Sequence, residues 1–352
     1  MAILARFFSV FLLSGLWSLT AVADWPVTTI TTAELYRIRS GESRVYHLEE
    51  NSRVLVFDFA DLAEQGAALN RLATFLEKRG GELLDDAGLA ARILADGVDP
   101  NHYYLGHDYR IADVARFFNT ARDRGITLNS SERDLLSKLL ASAFLVADFR
   151  GLVAREHELV LIGVSQARAS EDGRHTDMNE RTLTLRHELS HGEFLTNPDF
   201  RQYCREFWMG LRPAEREIFR EELARLGYDP ENEELMVNEM QAFLWEPLAG
   251  AFLQARLRKN GSEDLAGLRR RFLSGLAAGP RPLTAFFDLP RHRELSPLTM
   301  SSGRAMRVGK RIVFLDETGE GLPRTPYEYR SCPDRRNEDL SGLSHPVPEV
   351  PA

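Results

Sequence analysis

The sequence predicts an α+β protein: a small sheet, one helix seated against it that carries the chemistry, and a mostly helical region beyond. Three observations lead there. Residues 53–59 and 159–164 are dense apolar runs of strand length. Residues 61–78, 111–124 and 131–149 place their apolar side chains at helical spacing. Past Pro198 the chain keeps helical periodicity almost throughout.

Residues 1–23 read as an export signal. Arg6 supplies the positive start, the stretch from Phe7 to Leu19 is mostly apolar, and Ala21-Val22-Ala23 offers a cleavage site before Asp24. The apolar core is short for a bilayer span, so the expected product is secreted or periplasmic, with no stable membrane insertion after cleavage. An uncleaved anchor is the alternative. The formal net charge is −8 over 352 residues, which argues against nucleic acid or anionic lipid as the main partner. A hydrophobic content of 43% argues against general disorder. Cys204 and Cys332 could pair after export or stay as thiols; neither belongs to a C-x-x-C pair, so a thiolate metal site is not expected.

Residues 24–130 are expected to form an N-terminal α/β region. Strands at 44–47 and 53–59 precede the 61–78 helix, which stops at Gly80-Gly81, and a further helix covers 86–95. No glycine-rich phosphate loop joins strand to helix. Residues 102–109 gather polar aromatics, including His102, Tyr103, Tyr104, His107 and Tyr109, around Gly106. A tyrosine or histidine from this stretch could donate to an oxyanion, or the stretch is a structural turn. The helices at 111–124 and 131–149 look like scaffold, with Asn129 and Glu132 capping the second.

Residues 131–258 are expected to hold the functional core. After the strand at 159–164 and a polar loop over 167–178, His187-Glu188-Leu189-Ser190-His191 spells H-E-x-x-H inside a helix. Asp177 with Glu180 starts that helix, Leu183, Leu185, Leu189 and Phe194 give its spacing, and Asn197-Pro198 closes it. Histidines at i and i+4 share a face, so both imidazoles can reach one ion. Glu188 lies about 100° round, placed to hold a water rather than to share the ion. Neutral imidazole suits zinc, and three protein ligands leave a position for water, whose pKa falls from about 15.7 to about 7. Glu188 can take that water's proton during attack on a carbonyl carbon and hand it to the leaving amine. A helix whose histidines bind nothing is the plain alternative.

At these residues the chain resembles the zincin metallopeptidases. The resemblance covers the short motif, a third ligand and the order of strand and helix; it identifies no specific family over the whole chain. The metzincin branch needs Gly and His where Phe194 and Asn197 stand, so that branch is excluded. The resemblance then implies a glutamate ligand on a later helix. Glu239 is the best candidate, because Leu235, Ala242 and Phe243 share its helical face. A carboxylate in an apolar stripe is costly unless it is paired or bound to a metal. Glu206, Glu234 and Glu246 are rivals. Thermolysin-like enzymes use a shorter spacing and carry an aspartate four residues past the glutamate; here Phe243 stands at that position, which leaves the orienting role open. The resemblance also implies that the strand before the motif helix lines the cleft and pairs with an extended peptide.

Residues 259–330 form a C-terminal region, with a helix at 265–276 and a strand at 311–315 that could join an edge of the sheet. Arg269-Arg270-Arg271 reads as a solvated face, and Arg291-His292-Arg293 as surface charge or a substrate contact. Residues 331–352 have the composition of a flexible tail. The expectation is an exported, zincin-like zinc metallopeptidase acting on peptide or protein substrates, with His187, His191 and Glu239 as ligands and Glu188 as general base. The alternatives are a zinc hydrolase of a non-peptide amide or ester, and a non-catalytic envelope protein with a structural metal.

Overall fold

In the computed structural model of this chain, residues 27–78, 80–167, 176–245, 251–259, 261, 264–278, 304–308 and 311–315 are described. The chain runs through β1 (Thr28–Ile30), α1 (Thr32–Arg37), β2 (Arg44–Leu48), β3 (Val54–Phe59), α2 (Leu62–Glu77) and α3 (Asp86–Ala95). Next come β4 (Gly106–Arg110), α4 (Ile111–Asp123), α5 (Ser130–Ala141), a hairpin of β5 (Leu145–Asp148) and β6 (Gly151–Ala154), and β7 (Val160–Ser165). Helices α6 (Met178–Thr196), α7 (Pro198–Gly210), α8 (Pro213–Arg225), α9 (Glu233–Trp245), α10 (Ala251–Lys259) and α11 (Leu265–Ala278) follow. A second hairpin joins β8 (Arg304–Val308) to β9 (Arg311–Leu315).

The main sheet is small and mixed, with strand order β1-β2-β3-β7-β4. The β1–β2 and β3–β7 pairs are parallel; β2–β3 and β7–β4 are antiparallel. β3 and β7 sit in the middle, and every residue of both is buried, as their apolar density predicts. Strand alternation sends Val54, Val56, Val160, Ile162 and Val164 into a core shared with α6, α7, α8 and α9. Leu55, Phe57, Phe59 and Leu161 pack on the opposite face, against α2, α4 and α5. The molecule is therefore mixed α/β, with helices on both faces of the sheet.

Several expectations need correction. β7 comes from the 131–258 stretch yet lies between β3 and β4, so a division at residue 130 does not separate two cores. An apolar run identifies a strand but not its neighbours. The helix expected over 131–149 stops at Ala141. There Ala143 adopts a left-handed φ of 56°, the Phe144 N–H donates to Leu139 O at 2.9 Å, and β5 begins. Residues 144–147 suit strand as readily as helix by pattern, and pairing with β6 decides. β9 pairs with β8 and does not extend the main sheet.

The export signal with its Ala23 site, Glu246, Arg291-His292-Arg293, Cys332 and the 331–352 tail lie outside the described residues. Cys204 is buried. Among the described residues, no helix is long and apolar enough to cross a membrane.

The first turn of α6 is tied down by a buried ion pair. Asp177 caps it, its side chain accepting from the Glu180 N–H at 2.9 Å. Arg181 Nη1 donates to Asp58 Oδ1 of β3 at 2.7 Å and to Ser165 O of β7, and Nη2 donates to Leu35 O of α1 at 2.8 Å. Both charged side chains are fully buried. Burial pushes Asp58 up to about 6 despite the adjacent guanidinium, so desolvation offsets much of the attraction and the pair acts chiefly to fix position. Asp58→Ala should leave the guanidinium buried and unbalanced, at a cost of about 3–5 kcal/mol in urea unfolding. A loss under about 1 kcal/mol, the range of exposed pairs, would show that water already reaches Arg181.

Candidate metal centre

α6 lies close on the sheet because a glycine faces β3 in its C-terminal half. A Cβ at Gly192 would come within 3.2 Å of Val54 Cγ2, tighter than ordinary contact. Leu185 and Leu189 enter the core, and His187 and His191, four residues apart, present adjacent rings with centroids 4.6 Å apart and planes at 86°. Burial holds His187 down to about 3 and His191 to about 4. Both imidazoles are therefore neutral across the physiological range, the state that offers a nitrogen lone pair to a metal.

α9 packs against α6 and brings the third group. Glu239 Oε2 lies 3.6 Å from His187 Nε2, and Oε1 lies 3.9 Å from His191 Nε2. Ala242, one turn on, is fully buried, and the Phe243 ring stands edge-on to His187 at 5.8 Å and 90°. Desolvation raises the Glu239 pKa, opposed by His191 and by a hydrogen bond with Tyr228. These separations are too long for hydrogen bonds. Glu239 Oε2 is shut off from solvent and accepts none, a costly condition for a carboxylate. One ligand atom from each of the three residues lies within 4.8 Å of the others, so this buried set could hold a metal ion. The donors fit one: a cation would satisfy the oxygen that no hydrogen-bond donor reaches.

Two of the rival glutamates face elsewhere. Glu206 accepts from Gln202 at 2.8 Å, and Glu234 is taken up by Arg205 and Arg110.

A second constellation, Asp108, Glu188 and His191, shares only His191 with the first. It exists because β4 runs beside α6. A Cβ at Gly106 would overlap the Glu188 carboxylate, so only glycine lets strand and acid approach so closely. Two residues along the same strand face, Asp108 puts Oδ1 3.9 Å from His191 Nε2. Asn238 Nδ2, on α9, donates to Asp108 Oδ2 at 3.4 Å. Burial and the charges of Glu77 and Glu239 raise the Asp108 pKa well above the usual carboxylate range. Burial and Glu239 likewise push Glu77, at the end of α2, up to about 8.

Sequence reasoning missed Asp108, Asn238, Tyr228 and Glu77. It looked to tyrosines and histidines in 102–109, but His107 Nδ1 and Tyr109 Oη lie 2.8 Å apart, tied to each other. The usable signal was the alternation of β4, which buries His107 and Tyr109 and sends Gly106 and Asp108 to the other face.

The substrate-pairing role implied for residues 159–164 is also corrected. β7 is hydrogen-bonded to β3 on one side and β4 on the other, so its edges are used. The outer strand is β4. Ile111 N–H donates to Leu159 O, and bonded pairs alternate along an antiparallel ladder. Tyr109 and His107 therefore bond to β7, while Gly106 and Asp108 turn their N–H and C=O outward and the Arg110 C=O is taken by the first turn of α4; no strand lies beyond them among the described residues.

No family model matches the chain, and neither does any curated protein or solved structure.

Gly106→Ala should force the Glu188 carboxylate aside and lower stability by about 1–3 kcal/mol, the range for overpacking. Gly210→Ala, where nothing stands within 4 Å, is the control and should be neutral or better in thermal unfolding. Equal melting temperatures for the two variants would mean that β4 does not press on Glu188.

Proposed function

We propose that this chain is an exported, zincin-like zinc metallopeptidase, with His187, His191 and Glu239 as metal ligands and Glu188 as general base. The observation that carries the reading is the buried Glu239 carboxylate, 3.6 Å and 3.9 Å from two uncharged imidazole nitrogens and with an oxygen that no donor satisfies. Zinc, when bound there, would supply Lewis acidity and an acidified water.

The chain's own residues supply the rest. Glu188 follows His187 on α6 and belongs with the constellation that contains only one of the two histidines, so it is set aside from the ligand set but next to it. That position suits a base that takes a proton from water and returns it to the leaving amine. The outward N–H and C=O groups of Gly106 and Asp108 offer an extended peptide a short ladder on β4, the strand beside α6. Main-chain pairing of this kind recognises a backbone with little demand on side chains. Hydrolysis of a non-peptide amide or ester would use the same groups without that ladder.

One observation favours a second reading, a structural metal in a non-catalytic envelope protein. Asp108, 3.9 Å from His191 Nε2, groups with Glu188 rather than with His187 and Glu239; a shift of its carboxylate onto the ion would close the site with four protein ligands and leave no exchangeable position.

The purified exported protein should hold about one zinc per chain. Glu188→Gln should retain most of that zinc while cutting the turnover of a quenched fluorescent peptide pool by about 10²–10⁴-fold. Glu239→Ala should lose the metal, whereas Glu206→Ala should not. Full cleavage by Glu188→Gln would remove the assigned base, and unchanged zinc in Glu239→Ala would remove the third ligand.

A further inference from the structure

The connection between α8 and α9 fixes one side chain, that of Tyr228. Gly227 ends α8 at a φ of 93°. Its N–H donates to Ala224 O at 3.0 Å and the Tyr228 N–H donates to Leu223 O at 3.1 Å, the paired bonds with which a glycine turn closes a helix. Lys78, just past α2, pairs with Tyr228 in an isolated antiparallel bridge, and its Nζ donates to Leu226 O at 3.0 Å. A Cβ at Gly227 would come within 2.7 Å of that Nζ, so the clamp needs glycine there. Asn232 then caps α9, accepting from the Leu235 N–H at 3.2 Å. Tyr228 is therefore held through its main chain from two sides, and it is buried in the same core as α6 and α9.

The Tyr228 hydroxyl hydrogen-bonds the Glu239 carboxylate. Glu239 Oε2 accepts no hydrogen bond from the described residues, so the hydroxyl falls to Oε1. The two oxygens then have different surroundings. Oε2 lies 3.6 Å from His187 Nε2, and Oε1 lies 3.9 Å from His191 Nε2. A carboxylate turns about its last bond and could present either oxygen, or both, to an ion between the imidazoles. Both oxygens with both imidazoles would make four donor atoms, the number that closes a tetrahedral zinc site. A donor on Oε1 opposes that outcome.

Resting on the metal-site reading above, we infer that Tyr228 is a positioning residue that keeps Glu239 a one-oxygen ligand, its hydroxyl holding Oε1 while Oε2 faces the ion. The remaining position then stays open to water. The clamp explains why the tyrosine can do this. A hydroxyl restrains a carboxylate only if its own ring cannot follow the carboxylate as it turns, and the helix stop at Gly227 together with the bridge to Lys78 denies Tyr228 that freedom.

The test loads the wild-type protein and Tyr228→Phe, which keeps the ring that fills the core, with cobalt(II) and follows their visible absorption as azide is added. Both should take up about one cobalt per chain. Without the hydroxyl, Oε1 is free to turn onto the ion, so the bands of Tyr228→Phe should be shifted from those of wild type. Azide should move the wild-type bands at concentrations that leave those of Tyr228→Phe unchanged, because the variant has lost its open position. Peptide turnover by the zinc form of the variant should fall ~10-fold or more in kcat with KM unchanged. Identical bands and azide responses in the two proteins overturn the inference and leave the metal site standing. Complete loss of cobalt from Tyr228→Phe overturns it as well, since the hydroxyl would then be holding Glu239 in place rather than choosing its oxygen. His187→Ala binding cobalt as tightly as wild type would instead bring down the metal-site reading, and this inference with it.

Discussion

A buried carboxylate set against two uncharged imidazoles is the constraint on which the rest of this structure depends. Glu239 lies in a stripe of apolar side chains, and its Oε2 is shut off from solvent and accepts no hydrogen bond from the described residues. Such an arrangement costs free energy in the metal-free protein, on the order of a few kcal/mol, so other interactions must hold it together. α6 is anchored at its first turn by Arg181 and Asp58, and toward its C-terminal end by the close approach of Gly192 to β3. α9 is kept near by Ala242 and Phe243 on the same side as Glu239. The scaffold is built so that the polar groups cannot relax apart.

The outer strand completes the arrangement. β4 touches α6 through a glycine, and the next residue on that face is an aspartate. A larger residue at 106 would force the Glu188 carboxylate aside. The spacing between strand and helix therefore sets two things at once: where Glu188 stands, and whether a second carboxylate reaches His191. The aromatic pair His107 and Tyr109, on the opposite face, fills the other core layer and keeps the strand from rolling.

What could be read from the sequence follows how local each relation is. The i, i+4 placement of His187 and His191 and the offset of Glu188 depend only on helical geometry, so the motif located them directly. The strands at 53–59 and 159–164 were legible because they are buried on both faces. Glu239 was legible as a misplaced charge, though not as a neighbour of His187, since that depends on how α9 crosses α6. Asp108 was not legible at all as part of the site. Its approach to His191 requires β4 to pair antiparallel with β7, and no pattern within residues 102–110 states which strand lies alongside. The end of α5 was misplaced for a similar reason, because the β5–β6 pairing competes with helix for the same apolar residues.

The orientation of the proposed ligands also departs from the thermolysin-like pattern, and the departure is coherent. In that pattern an acid four residues past the glutamate orients a ligand histidine through a hydrogen bond. Here Phe243 occupies the position and presses edge-on against the His187 ring, holding its plane by shape. Polar anchors serve the carboxylates as well: Tyr228 bonds Glu239, and Asn238, set by Gln241, bonds Asp108 and reaches His191. A carboxylate rotates about its last bond and needs a donor to choose which oxygen faces inward. A site whose acids are anchored by Tyr228 and Asn238, with Asn238 also reaching His191 and Phe243 packed on the His187 ring, is thus a physically consistent alternative.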